Sequence, residues 1–373
     1  MTTTELSFFS RAATLGLAAL VVAGCGGSVT PVAGDDPDAG NAADSASGGD
    51  ARPGDGAPST DTGTRPDGVP PGDTNLPGDA PVAAGADEAC TALADAYCGK
   101  LTECAKILVD VLWNDGVLCR ARTKAACLTT LGSPGVAETP TMTGACAKDI
   151  APKTCVSLLS KDDTPSCDPA PGAVDDGKAC GDDEQCKSGF CAFEGGTWCG
   201  TCSPEPTAGS ACTRGLCGRH LSCTAALKCE KPGKLGDSCD PKSKPCTTGL
   251  SCFGGACVPG GSSGDACDPN EIANPNCDGT KGLFCNPPSK QCEAIGEAAA
   301  GAACGYDTTT GIFTVCTAGA TCRTSGSGFS GKCVAPAADG ATCNPDPKIG
   351  PGCLSPAKCV AGLCKLSDPG ACK

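Results

Sequence analysis

Apolar residues keep a helical period in only one part of this chain. Cys90, Leu93, Tyr97, Leu101, Cys104, Leu108 and Leu112 stand three or four positions apart, the spacing of a helix with one buried face. Asp87 stands where an N-cap would, and Asn114-Asp115-Gly116 reads as a stop. Cys119, Thr123, Cys127 and Leu131 predict a second helix, closed by Gly132 and Pro134. Thr139-Pro140 has the form of an N-cap followed by proline at the first helical position. Met142, Cys146 and Ile150 then share a face, and a short fourth helix carries Cys155 and Leu159. Trp113 is expected to pack at the end of the first helix. Residues 87–168 thus read as a small helical bundle, in which Cys90, Cys98, Cys104, Cys119, Cys127, Cys146, Cys155 and Cys167 allow up to four bridges.

Elsewhere the pattern fails in two ways. Residues 26–86 hold Gly, Ala, Asp, Pro, Ser and Thr with almost nothing to bury, which predicts a disordered tether. As a flexible coil its ends would stand about 45 Å apart. After a Pro/Gly/Asp linker at 169–176, residues 169–373 break every apolar run with Gly or Pro and predict small β-hairpins and turns. Here cysteine replaces hydrophobicity as the repeating signal. Six units each open with a Gly three residues before a Cys: Gly177/Cys180, Gly209/Cys212, Gly236/Cys239, Gly264/Cys267, Gly301/Cys304 and Gly340/Cys343. The opening cysteines are followed by Cys186, Cys191, Cys199 and Cys202 in the first unit and by Cys217, Cys223 and Cys229 in the second. The third continues with Cys246, Cys252 and Cys257, and the fourth with Cys277, Cys285 and Cys292. The fifth has Cys316, Cys322 and Cys333, and the sixth has Cys353, Cys359 and Cys364, with Cys372 beyond it. The step from second to third cysteine is six residues in four units, while other steps vary. This is an array of six four-cysteine repeats with variable loops on a fixed frame.

Composition sharpens the class. The 373 residues include 35 Cys, 53 Gly and 31 Pro, with 3% aromatics. Such a chain cannot build a large apolar core, so disulfides must staple it, and disulfides imply an oxidising compartment. The fold class is therefore small and disulfide-rich. Zinc would favour C-x2-C pairs and His partners, whereas the usual step here is longer and His220 is the only histidine. Net charge is −14, and residues 35–88 hold twelve acidic groups against Arg52 and Arg65. That segment repels nucleic acid and anionic membranes, and no basic patch with interleaved aromatics argues for nucleic-acid binding.

The N-terminus adds an address. Arg11 precedes an apolar run, Ala12 to Ala23, too short to span a bilayer. It ends in Leu20-Val21-Val22-Ala23-Gly24-Cys25, which resembles the lipobox of bacterial lipoproteins. The resemblance implies a signal segment at 1–25, lipidation of Cys25 and a membrane anchor through that lipid. Removing Cys25 also leaves an even number of cysteines. Gly26 and Gly27 follow where an Asp would mark retention at the inner membrane, so the resemblance implies the outer membrane of a Gram-negative cell, at its periplasmic face or surface. The repeats, with Gly249-Leu250-Ser251-Cys252 and Gly282-Leu283-Phe284-Cys285, resemble the Dickkopf N-terminal cysteine-rich repeat. That resemblance covers about half the chain and implies a disulfide-knit module without catalysis.

Candidate chemistry is sparse. Trp198-Cys199-Gly200-Thr201-Cys202 is similar to the W-C-G-x-C site of thioredoxin-like oxidoreductases, which needs its first Cys at a helix N-terminus to lower the thiol pKa. Ser203-Pro204-Glu205-Pro206 follows and opposes a helix. The competing expectation is that one of Cys199 and Cys202 is the fourth repeat cysteine and the other bonds elsewhere. His220 stands without a nucleophile motif, and Asp182-Asp183-Glu184 reads as a solvated turn. No residue is assigned as catalytic, cofactor-binding or metal-binding, and no cofactor is expected. Spacing does not determine connectivity. The pairing expected is first-to-third and second-to-fourth within a repeat, as in Cys239–Cys252 and Cys246–Cys257, with the surplus of the first unit joined to Cys372. The function expected is interaction or structure, with an envelope protein or polysaccharide as partner. The long loops of the fifth unit carry Tyr306, Phe313 and Phe329 as contact anchors or as caps on the repeat's core. An oxidoreductase using Cys199 and Cys202, or a metal-sequestering protein using thiolates, is the alternative.

Overall fold

In a computed structural model the helical period becomes two helices rather than one. The structure describes residues 84–159, 164–193, 199–212, 217–324, 330–344, 346, 350–366 and 369–372; the signal segment with Cys25, and nearly all of the expected tether, lie outside them. Helix α1 (Ala86–Cys104) ends where Ala105 leaves the helical backbone, and α2 (Lys106–Trp113) resumes the stripe. Asp87 is not the N-cap. Gly85 holds that place with φ 85°, and Asp87 and Glu88 lie in the first turn, where negative charge meets the positive end of the helix dipole. Asn114 ends α2, and Asp115 caps α3 (Gly116–Leu131) by accepting from the Leu118 N–H at 2.8 Å. Thr139 caps α4 (Pro140–Ile150) by accepting from Met142 N–H at 3.3 Å. On α4, Thr143, Cys146 and Ile150 are buried while Met142 is only half-buried. Helix α5 (Cys155–Leu159) completes the segment.

Three disulfides join these helices, Cys90–Cys127, Cys98–Cys119 and Cys104–Cys155, and a fourth, Cys146–Cys167, ties α4 to the 3-10 turn Pro165–Cys167. They are embedded in apolar side chains. One core gathers Leu101, Ile107, Leu108, Val109, Trp113 and Leu159 around two of the bridges. A second gathers Leu93, Ala147 and Ile150 around the other two.

The repeats are built on short strand pairs. The first holds β1 (Ala179–Cys180), β2 (Cys191–Phe193) and β3 (Gly200–Cys202), in the order β1-β3-β2. The second pairs β4 (Ser222–Cys223) with β5 (Cys229–Glu230), the third β6 (Leu250–Phe253) with β7 (Ala256–Pro259), and the fourth β8 (Leu283–Asn286) with β9 (Gln291–Ala294). The fifth is a five-stranded sheet of β10 (Gly296–Ala298), β11 (Ala303–Tyr306), β12 (Phe313–Cys316), β13 (Thr321–Thr324) and β14 (Ser330–Val334), ordered β10-β12-β11-β14-β13. The sixth pairs β15 (Lys358–Val360) with β16 (Leu363–Lys365).

One frame underlies all six. The third and fourth cysteines lie directly opposite each other across the strand pair, as Cys252 faces Cys257 and Cys285 faces Cys292. Side chains at such positions share one face, so both sulfurs reach the same side. There the first cysteine bonds the third and the second bonds the fourth. The pairs are Cys180–Cys191 and Cys186–Cys202, Cys212–Cys223 and Cys217–Cys229, and Cys239–Cys252 and Cys246–Cys257. Then come Cys267–Cys285 and Cys277–Cys292, Cys304–Cys322 and Cys316–Cys333, and Cys343–Cys359 and Cys353–Cys364.

The recurring Gly has a backbone cause. All six opening glycines take φ between 79° and 87°, a region L-residues enter at a cost. In that conformation the Gly N–H donates to the fourth cysteine's carbonyl, for example Gly236 to Cys257 at 2.8 Å. The fourth cysteine's N–H donates back to the residue after the Gly, as Cys257 does to Asp237 at 2.8 Å. A Cβ at any of the six would meet no atom within 4 Å. The requirement is the dihedral, not space.

The repeats also pack on the helices. Ile295 and Val315 join the Trp113 core, and Ala318 and Gly319 donate N–H groups to the carbonyls of Asp110 and Val111 at 2.8 and 2.7 Å. Trp113 Nε1 donates to the Ser355 carbonyl at 3.2 Å. The Arg122 guanidinium pairs with Asp339 and donates to the carbonyls of Leu354 and Ser355. Finally Cys199 of the first repeat bonds Cys372, and Lys358 Nζ lies 4.8 Å over the Phe193 ring. The array therefore closes, its sixth repeat meeting its first.

Candidate functional site

Phe284, Tyr306 and Phe313 bring aromatic side chains together at the seam between the fourth and fifth repeats. Tyr306 and Phe313 are opposite neighbours on β11 and β12, and the Phe284 and Phe313 ring centroids lie 6.1 Å apart in a tilted arrangement. All three are half-buried. The sulfur core of the fifth repeat comprises Cys304, Cys316 and Cys333 with Ala298, and neither ring belongs to it. Phe329 lies outside the described residues.

Polar groups line the same seam. Glu293 faces Phe284 across the strand pair and accepts from Ser289 Oγ and Asn286 Nδ2, both at 2.6 Å. These two donors hold its carboxyl below the usual range. Asn286 is 4% exposed and its Oδ1 has no hydrogen-bond partner. Asp307 accepts from the Thr309 N–H and the Thr310 hydroxyl at 2.8 Å each, and its carboxyl is likewise held low. Burial, then Asp307 and Glu293, push the Tyr306 phenol up. Ring faces beside fixed, ionised acceptors suit a ligand with both C–H and hydroxyl surface.

The cysteine pair of the W-C-G-x-C motif is split. Cys202 is the fourth cysteine of its repeat and bonds Cys186, while Cys199 bonds Cys372. Cys199 directly precedes a strand, β3, rather than opening a helix. The surplus cysteine of the first unit, left open between Cys199 and Cys202, is Cys199, and it joins Cys372 as parity suggested. Sulfur triples such as Cys180, Cys186 and Cys191 lie within 4.8 Å of one another, because two disulfides stack in each repeat. Sulfurs in disulfides are not thiolate ligands.

Asp182-Asp183-Glu184 is not a solvated turn. Asp182 is buried and accepts from Thr130 Oγ1 of α3 at 3.0 Å. Asp183 accepts from Cys191 N–H at 2.6 Å, and burial raises it to about 7. Burial first, then Asp182, raises Glu184 well above the usual range. Burial and Glu184 raise Glu138 as well. Next to this turn, Gln185 Nε2 donates to the Pro134 carbonyl at 2.8 Å. Burial lowers Lys358, which faces the group from the sixth repeat. These acids stand where helices, first repeat and sixth repeat meet, so their environment is tertiary and no local pattern announces it. His220 Nε2 lies 3.3 Å from Asp168 Oδ1. Among the described residues no helix is long and apolar enough to cross a membrane.

Compared with known protein families, curated proteins and solved structures, the chain matches none of them.

Proposed function

We propose that the chain is a cell-surface lipoprotein without catalytic function, an interaction module whose head combines a helical bundle with Dickkopf-like repeats. In this reading the lipid on Cys25 anchors it to the outer membrane, and the segment from residue 26 to the start of α1, which takes Gly85 and Ala86 from the expected tether, holds the head away from the bilayer. The observation that carries the reading is one backbone frame repeated six times with loops of different length on it. Variable loops on a rigid scaffold are where binding surfaces are usually built. The seam of Phe284, Tyr306 and Phe313, with Glu293 and Asp307 beside it, is the face we assign to an envelope polysaccharide or protein. Separate disulfides for Cys199 and Cys202 favour this over an oxidoreductase.

The test is retention from cell-envelope extracts on the immobilised full-length chain, native against Tyr306→Ala/Phe313→Ala. Selective retention by the native chain supports the assignment. Equal retention by both chains and by a reduced, alkylated control would remove it. For the anchor, Cys25→Ser should abolish membrane fractionation and signal cleavage together. Normal processing of that variant at the same bond would contradict lipidation.

A further inference from the structure

The stretch Leu227–Lys244, from the end of the second repeat into the third, has a charge opposite to that of the whole chain. It carries Lys228, Lys231, Lys234, Lys242 and Lys244 in a protein of net charge −14, and all five are exposed. The backbone sets Lys231 and Lys234 beside the segment of Lys242 and Lys244, while Lys228 lies in the second repeat, bridged to Ala211. Gly233 N–H donates to the Pro245 carbonyl at 2.8 Å, Thr247 N–H donates to the Gly233 carbonyl at 2.9 Å, and Lys244 Nζ donates to Ser238 Oγ at 3.0 Å.

The stretch also holds Glu230, Asp237 and Asp240, which leaves it a net charge of +2 from five lysines and three acids. Asp237 accepts from the Lys234 N–H at 2.9 Å, and Asp240 from the N–H groups of Lys242 and Ser243 at 2.9 Å each. Among the described residues, no carboxylate lies within 4.0 Å of the ammonium groups of Lys228, Lys231, Lys242 or Lys244. Two large apolar side chains also stand in water there, Leu227 at 64% and Leu235 at 62% exposure. Both are adjacent in sequence to lysines of the set. Bridges Cys239–Cys252 and Cys246–Cys257 fix the scaffold beneath.

Lysines are flexible point charges, without the planar fork of arginine. No aromatic residue stands in 227–244 to stack a base. A soluble polyanion would use the lysines but leave both leucines in water. An anionic bilayer uses both, since headgroups attract the ammonium groups and the acyl boundary takes the leucines. We propose that the Leu227–Lys244 face docks on an anionic lipid surface, lysines on the headgroups and Leu227 and Leu235 at the acyl boundary. This contact belongs to the head itself and does not rest on lipidation of Cys25.

The test places the full-length chain on phosphatidylcholine vesicles with and without phosphatidylglycerol, and maps lysine acetylation by mass spectrometry. Acetylation of Lys228, Lys231, Lys242 and Lys244 should fall severalfold on the anionic vesicles and recover in high salt, while exposed Lys332 and Lys365 stay unchanged. A lysine near such a surface is worth about fivefold in binding, so Lys231→Glu/Lys242→Glu should lower the preference for anionic vesicles by at least about 20-fold. Leu235→Ser should weaken binding in both high and low salt. Equal acetylation on the two vesicles would overturn the proposal. So would protection by soluble dextran sulfate with none by vesicles, which would make the face a reader of polyanions. A native disulfide map in each variant excludes misfolding as the cause.

Discussion

The helices and the repeats solve the problem of a small interior differently. In the helical segment, disulfides sit inside an apolar interior that includes Leu93, Leu101, Leu108, Val109, Ile150 and Trp113. In the repeats the sulfurs are the interior. The buried apolar cluster of the first repeat is Cys180, Cys186, Cys191 and Cys202, and that of the fourth is Cys267, Cys285 and Cys292. Loop lengths differ too. Bridges between helices span 21 to 51 residues, whereas the twelve within repeats span 11 to 18. A repeat thus depends on its own two bridges, each worth about 3 kcal/mol in the chain-entropy model. The helical segment has burial in addition, so the two regions should respond to the same insult unequally.

Reduction should separate them most. With a dithiol present, amide protection should vanish across 177–365 while part of the protection of α1 and α3 survives. Loss of both together, followed by hydrogen exchange, would erase the distinction. Next in size is Trp113→Ala, which removes a 4%-exposed ring and its bond to the Ser355 carbonyl. A cost of about 3–5 kcal/mol is expected by denaturant titration, with Arg122 and the sixth repeat losing protection alongside the helices. A cost under about 1 kcal/mol would mean that the helices do not depend on this contact.

The acidic junction should make stability depend on pH. Burial raises Asp183 from 3.8 to about 7 in the folded protein, and raises Asp182 and Glu184 in the same direction. A raised acid favours the protonated fold. Its contribution is complete below about pH 4 and is lost as pH rises through about 7, up to about 4 kcal/mol for Asp183. Melting temperature should therefore fall between pH 4 and 8, and Asp183→Asn should flatten that slope. A melting temperature that rises over this window would contradict the burial. The smallest effect belongs to the frame. Gly236→Ala should cost about 1–2 kcal/mol through its φ of 84°, with exchange quickening at Cys257 and not in α1. Gly279→Ala, at a site without positive φ and with no neighbour within 4 Å, should be nearer neutral.

What could be read from the chain itself was local. Thr139-Pro140 announced its helix, and Gly236-Asp237-Ser238-Cys239 announced its repeat, because caps and turns are decided by residues adjacent in sequence. The break at Ala105 was not legible, since the apolar stripe runs through it without interruption. Nor was the burial of Asp182 to Glu184, which depends on Thr130 and Lys358, residues 52 and 176 positions from Asp182. The aromatic seam was half legible. Tyr306 and Phe313 stood out by rarity, but Phe284 belongs to another repeat, and only the meeting of the two hairpins joins it to them.

The central claim is that seventeen bridges organise the head, twelve of them local and one, Cys199–Cys372, closing the array. Peptide mapping of the native chain under non-reducing conditions tests it most directly. The account predicts first-to-third and second-to-fourth links in all six repeats, and a peptide holding Cys199 joined to one holding Cys372. A Cys199–Cys202 bond, or a majority of links between different repeats, would contradict it.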